Sequence, residues 1–435
     1  MGAASDRRIE YSRRGRSDSA RVAGFVSQAL LAGAAISLFA LALPGCAPRA
    51  PAGRTVVFWQ FSPLADIKPI LAKFESEHPG VTVQVEQLTW QSGREKIVTS
   101  IAAGRPPDLC ELGSTFLPGL VADSTLLDLT AAAASLRDSL VGWNIVTDHG
   151  RAYALPWMLG TRALYLNDDL FRRAGLDPTN PPGTWAEMRE AARAIATKIP
   201  DAKGFGMNAG EREILFKKFM PFAWGNGGDI LDPTGSRSVM GSRQNIEALR
   251  FYLSLKPYSL LDRQEMHEQA FRKGRLGMII SGPWLLRTLP ETAPKLQFSV
   301  ALMPRPAAER GTSASFAGAE VLGIFRTAKN KADALRLAEF LVRAENTMPL
   351  FLATGNAFPA ATSALADEYF AIHALDRVFL TQIRTAVAPP LHPRWVEIEE
   401  IVNAELEEAI YGAKTPEAAL DDANRRIGAA LTREP

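Results

Sequence analysis

Val56-Val57-Phe58-Trp59 is an unbroken apolar run, the pattern of a strand covered on both faces in a parallel sheet. Ile67, Ile70, Leu71 and Phe74 follow at i, i+3, i+4 and i+7, one stripe of a helix. Pro79-Gly80 ends that helix, and Val81, Val83 and Val85 then alternate with polar residues as a second strand. Ile97 and Ile101 mark another helix, stopped by Gly104, and residues 108–112 form a third strand. Strands that alternate with helices mean βαβ units and a mostly parallel sheet. The rhythm returns later with strands over 276–280 and 318–325 and an amphipathic helix over 332–344. Ile398, Ile401, Val402, Leu406, Ala409 and Ile410 predict a long helix near the C-terminus.

A chain of 435 residues is too long for one ordinary domain, so an α/β protein of two lobes is expected. No repeat period competes with that division. The formal charge of +2 is skewed by the N-terminal segment, where six arginines and three acids fall within residues 1–45. The remaining body carries 43 basic and 44 acidic residues, and no basic run with interleaved aromatics. That balance argues against a nucleic-acid partner.

The N-terminal segment has a logic of its own. Arg7, Arg8, Arg13, Arg14, Arg16 and Arg21 precede an apolar run over residues 22–43, and Leu43-Pro44-Gly45-Cys46 follows. A basic region, an apolar region and a small-residue site read as an export signal. Leu43 to Cys46 resembles a bacterial lipobox, whose cysteine is diacylated and becomes the new N-terminus; Leu43 and Gly45 fit it and Pro44 departs from it. The alternative is an uncleaved anchor, since the run is long enough to span a bilayer. Residues 1–45 are thus read as a lipoprotein signal peptide, Cys46 as the lipidation site and 46–54 as a tether.

Several segments, in order, resemble the family 1 extracellular solute-binding proteins of ABC importers, the maltose-binding-protein-like group. They include residues 74–83 (Phe-Glu-Ser-Glu-His-Pro-Gly-Val-Thr-Val), 103–109, Tyr153-Ala154-Leu155-Pro156-Trp157, residues 164–176 and Pro181-Pro182-Gly183-Thr184-Trp185. Residues 271–278 before Gly282-Pro283-Trp284 complete the series. Gly318-Ala319 and Asn167-Asp168-Asp169 depart from the usual pattern. The resemblance implies a two-lobe periplasmic-binding-protein fold, type II-like, with the ligand cleft between the lobes and three hinge crossings near 162–164, 318–322 and 353–355. Residues 55–162 plus 322–352 would form lobe 1, and 163–321 plus 353–435 lobe 2. It implies an extracytoplasmic, monomeric binding component, lipid-anchored to a bacterial membrane in the periplasm or at the cell surface. Such a component captures a small carbohydrate-like solute by lobe closure and delivers it to the permease subunits, with no cofactor and no metal.

A sugar site needs flat rings for C–H faces and fixed amides or carboxylates for hydroxyls. The expected ligand-binding residues are Trp59 and Gln60 at the end of the first strand, Glu111 at the end of the third, and Trp157 before the first crossing. Trp224 in a glycine-rich loop, Trp284, Glu320 in the second crossing and Asn356 after the third complete the set. Trp185 is expected to start a helix with Thr184 as N-cap, and Trp143 and Trp395 to pack structurally. Trp90 stays open, and Arg162 offers a fork for an acidic group or a pair across the hinge.

No nucleophile elbow, phosphate loop or His-Glu-x-x-His occurs, and the five histidines lack metal-ligand spacing. The protein is therefore read as a non-enzyme. The alternatives are a non-sugar solute such as a glycerol phosphodiester or polyol, or a secreted carbohydrate-active enzyme.

Overall fold

The computed structural model describes residues 53–433. The expected signal segment and Cys46 lie outside these residues. Arg54–Gln60 (β1), Leu64–Glu77 (α1), Val81–Gln87 (β2), Gly93–Ala102 (α2) and Leu109–Gly113 (β3) form the alternating unit that the hydrophobic pattern predicts. Leu155–Gly160 (β4) runs through Thr161 and Arg162 into Ala163–Asn167 (β5), the first strand of a second sheet. Trp185–Lys198 (α3), Lys203–Asn208 (β6), Arg212–Gly225 (α4), Arg243–Ser254 (α5), Ser259–Asp262 (β7) and Gln264–Arg272 (α6) follow, then Leu276–Ser281 (β8), Trp284–Thr292 (α7) and Phe298–Ala301 (β9). The chain returns through Ser315–Phe316 (β10) to Gly318–Ile324 (β11), Lys331–Leu341 (α8), Ala344–Thr354 (α9) and Phe358–Pro359 (β12). Ala374–Ile383 (α10), Ala386–Val387 (β13), Trp395–Tyr411 (α11) and Pro416–Leu431 (α12) complete it.

The first sheet has the order β12-β4-β11-β3-β1-β2 and the second β9-β5-β8-β6-β7. β1 pairs parallel with β2 and β3, whereas β11, from late in the chain, lies antiparallel between β3 and β4. This is the two-lobe, type II arrangement, with ligand expected at the carboxyl ends of the parallel strands.

The crossings sit where the sheets exchange the chain. The first is Thr161-Arg162. The second occupies residues 302–317, and β11 belongs to the first sheet from Gly318 onward. β12 also pairs in the first sheet, against β4, so the third passage follows Pro359 and does not lie at 353–355. The family-like segments mark which residues approach the hinge, but register alone fixes which sheet a residue joins. The short parallel pair β10–β13 ties the second and third passages together. Gln382 adds to that tie, accepting from Met303 N at 2.7 Å and donating to Ser313 O at 2.7 Å.

Local chemistry follows the sequence closely in α3. Thr184 Oγ1 accepts from Glu187 N at 3.3 Å and Glu187 Oε2 accepts from Thr184 N at 2.9 Å, a complete capping box. Trp185 stacks on Phe251 with ring centroids 4.6 Å apart, the packing role expected of it. β6 runs so close to α3 that a Cβ on Gly204 would stand 2.1 Å from Ala192 O. Trp395 is fully buried edge-on to Phe216, inside the lobe 2 core of α4, α5, α11 and α12. A second core covers one face of the first sheet (Val56, Phe58, Leu322) and continues through Tyr165 and Phe271 into the second lobe. A third lies on the other face, around Trp59, Cys110 and Val321.

Candidate ligand-binding site

Three polar side chains break the apolar lining of the first sheet, all on one face and all near the strand ends that meet the crossings. Gln60 ends β1, and side chains alternate along a strand, so it shares a face with Val56 and Phe58. Glu111 lies one register step beyond the pair Trp59–Cys110, beside Gln60. Glu320 opposes Gly113 on β11, while Glu111 opposes Leu322, which makes the two carboxylates diagonal cross-strand neighbours on the same face. Gln60 is fully buried, and neither its amide oxygen nor its nitrogen has a hydrogen-bond partner. Glu111 is buried and accepts from Phe61 N at 2.7 Å. Burial and the neighbouring Glu320 push its carboxyl well above the ordinary range, against the pull of that hydrogen bond. Burial also raises Glu320 to about 7, with Arg162 acting in the opposite direction. An orphaned buried amide costs roughly 1–3 kcal/mol unless something fills its hydrogen bonds.

The facing wall comes from the first crossing and the second lobe. Arg162, half-buried, lays its guanidinium 4.7 Å from the Trp284 ring centroid and 5.7 Å from that of Phe316. Burial draws it down to about 10, with Glu268 of the second lobe and Glu320 of the first both holding it up; it remains a cation at neutral pH. Its charge thus lies between carboxylates of the two lobes. Trp284 is fixed from two sides. Its ring lies over Gly282, where a Cβ would come within 1.8 Å of it, and its indole N–H donates to Glu268 Oε1 at 3.0 Å. The same oxygen accepts from Ser281 Oγ at 3.1 Å and Gln264 Nε2 at 2.9 Å, and Arg272 reaches Glu268 Oε2 at 3.3 Å. Lys218 is buried nearby and donates to Ile280 O at 2.6 Å; burial and the charge of Arg162 pull it well below its usual value.

Of the expected residues, Gln60, Glu111, Glu320 and Trp284 converge on this region. Trp59 points to the opposite face, 9% exposed, under the Lys96 ammonium at 4.8 Å. Trp157 is in the core: its indole N–H donates to Leu341 O at 3.1 Å and its ring meets Phe58 edge-on. The register shifts here, since β11 pairs Glu320 with Met158 and Val321 with Pro156, leaving Trp157 without a partner on β11. Trp224 packs in the lobe 2 core with its N–H on Asp229 Oδ1 at 3.0 Å. Asn356 shows only a local bond, from its backbone N–H to Thr354 Oγ1 at 3.4 Å.

Glu268 escapes the sequence reading, and Trp90 is left open by it. Glu268 sits in an ordinary polar helix pattern, and nothing in its neighbours marks it as a hub. Trp90, following β2, is 44% exposed and stacks on Phe61 at 4.0 Å with an interplanar angle of 11°. Since Phe61 N binds Glu111, this ring stack borders the polar wall. An exposed tryptophan just past a parallel strand's carboxyl end is the signal that could have singled it out.

The family model described as bacterial extracellular solute-binding protein matches residues 62–348. A putative binding protein of Brucella abortus is 28% identical over 418 residues, covering 93% of this chain and 98% of the relative. An sn-glycerol-3-phosphate-binding periplasmic protein of Pectobacterium atrosepticum is 25% identical over 400 residues, covering 85% and 88%. A solved ABC transporter solute-binding protein from Thermotoga lettingae, bound with α-D-tagatose, superposes with a TM-score of 0.78 at 26% identity and covers 87% of this chain and 100% of that one. The matched residues take in strands of both sheets and the first two crossings, and they make up more than half of the chain: the chain belongs to the bacterial extracellular solute-binding proteins.

Proposed function

We propose that this protein captures a small carbohydrate between its lobes outside the cytoplasm and presents it to the permease of an ABC importer. The observation that carries this reading is the orphaned amide of Gln60, buried beside Glu111 on the strand face that also carries Glu320, whose carboxyl feels the Arg162 guanidinium. Hydroxyls both donate and accept, so a polyol edge can serve the amide and the carboxylates together. Trp90, stacked on Phe61 by one face and exposed on the other, supplies a face for C–H surfaces. The tagatose-bound relative and the extracellular description of the family support the same reading. The body acts as a monomer, and Cys46 carries the lipid that holds it at the membrane. Glu111 and Glu320 are read as binding groups: both stand on one wall, and Glu268 across from them is taken up by Gln264, Arg272, Ser281 and Trp284, whereas hydrolysis of a glycoside needs two free carboxyl groups flanking the bond.

A second reading, a glycerol phosphate, has one observation in its favour. The Arg162 guanidinium donates to Thr161 O at 3.1 Å and leaves other N–H groups for an anion. Glu111 and Glu320 oppose it: burial already pushes both carboxyls up, and Glu320 raises Glu111 further, so this wall disfavours the anions it has, and a phosphate would add another. The deciding experiment is a thermal-shift screen of the full chain in detergent against sugars, polyols, sn-glycerol 3-phosphate and amino acids. A sugar at about 100 times its dissociation constant adds about 2.7 kcal/mol of stability. A shift with glycerol phosphate alone replaces the first reading by the second. Consumption of a bound sugar overturns the non-enzymatic role.

A further inference from the structure

The polar wall of the first lobe is unbalanced in donors and in charge. Glu320 makes no hydrogen bond through its carboxylate among the described residues, and Glu111 uses one oxygen, on Phe61 N. Gln60 leaves its amide oxygen unserved. Acceptor oxygens therefore outnumber the single free donor on this wall, the Gln60 NH2. The charges are uneven too. Arg162 is the cation whose field reaches Glu320, and it divides itself between Glu320 and Glu268. Among the described residues the charge acting on Glu111 is another carboxylate, Glu320. Lys218 is turned away, with its ammonium on the carbonyl of Ile280.

A neutral hydroxyl would fill acceptors but leave the two adjacent carboxyls, each pushed up by burial, dependent on a proton of their own. A protonated amine supplies three N–H donors and one positive charge in the volume of a single hydroxyl group and its hydrogens. Such a group, seated between Glu111 and Glu320 with Gln60 Oε1 as a further acceptor, would satisfy the wall and balance its charge together. Charge-assisted hydrogen bonds of this kind are about twice as strong as neutral ones. The fully buried, partnerless Gln60 is independent of the acidic pair and marks the same place as one built for a ligand.

We infer that the solute is an amino sugar, a saccharide whose protonated amine is held between Glu111 and Glu320 while its ring lies against the exposed face of Trp90. This inference rests on the carbohydrate reading above and narrows it. The competing way to balance the wall is a proton shared by the two carboxylates, which would leave neutral sugars as the ligands.

Calorimetric titration of the full chain at pH 6.5 separates these. The probes are glucosamine, glucose and N-acetylglucosamine, and their β-1,4-linked dimers. The expected result is binding of the amine form at least tenfold tighter than its hydroxyl and acetylated counterparts. Glu320→Gln and Glu111→Gln should erase that preference, with the apo melting temperature confirming that each variant folds. Equal or tighter binding of the neutral counterparts overturns the amino-sugar assignment and leaves the carbohydrate reading standing. Absence of binding by every saccharide overturns both. The wild-type comparison decides the matter even if a variant fails to fold.

Discussion

At the scale of single residues, two tryptophans show how much the backbone decides. Trp157 and Trp90 both lie near strand ends, yet one is 1% exposed and the other 44%. Trp157→Ala should cost about 3–5 kcal/mol of stability, measured by urea unfolding, because it removes a packed ring and strands Leu341 O. Trp90→Ala should leave the unfolding midpoint almost unchanged and weaken sugar binding several-fold by titration calorimetry, since its exposed face would be lost from the rim. Glu320 carries a pH signature. Its folded pKa of about 7 exceeds the ordinary 4.5, so the folded state holds the proton more tightly than the unfolded chain. Its stabilising contribution is complete below about pH 4.5 and is lost as pH rises through 7. The groups bearing on it are Glu111 from β3 and Arg162 from the crossing. The ligand-free protein should thus lose stability between those pH values, and Glu320→Gln should flatten that slope in urea midpoints. A slope unchanged in the variant would assign it to another group. The polar members of the site were legible because Gln60, Glu111 and Glu320 interrupt strands that are otherwise apolar. The rings were not. Strand parity already forbids Trp59 and Gln60 from facing the same way, and the register shift at Trp157 leaves no mark in composition.

Elements were the most readable level. Helical stripes and apolar runs located β1, α1, β2, α8 and α11 closely, because each buries one face or both against a single core. What periodicity does not carry is neighbour identity: nothing local tells β11 to insert between β3 and β4. The fit of β6 on α3 gives a sharp test at this scale. Gly204→Ala places a methyl 2.1 Å from Ala192 O, a backbone atom that moves only with its helix. The variant should lose about 2 kcal/mol or more in chemical denaturation, as overpacking does, whereas Thr184→Ala at the cap of α3 should lose only about 1 kcal/mol.

At the scale of the whole molecule, the two lobes share a core and a charge relay as well as three passages of chain. The apolar cluster that runs from Phe58 to Tyr165 and Phe271 keeps the hinge packed, while Arg162 holds the balance between Glu320 and Glu268. A ligand bridging the walls favours the arrangement in which they face each other, a population shift set by its differential contacts. Arg162→Met should keep the hinge apolar contacts and loosen ligand binding, with a smaller ligand-induced decrease in radius by small-angle scattering than in the wild type.

The late insertion of β11 reaches beyond binding. A nascent chain that has emerged only as far as β9 carries β3 and β4 with unpaired edges, and the wall opposite Gln60 does not yet exist. Pairings between such distant segments form slowly, and open edges invite association with other chains. A polypeptide bound for translocation benefits from that delay: while its last third is still being made, it has no finished lobe to unfold again before crossing the membrane.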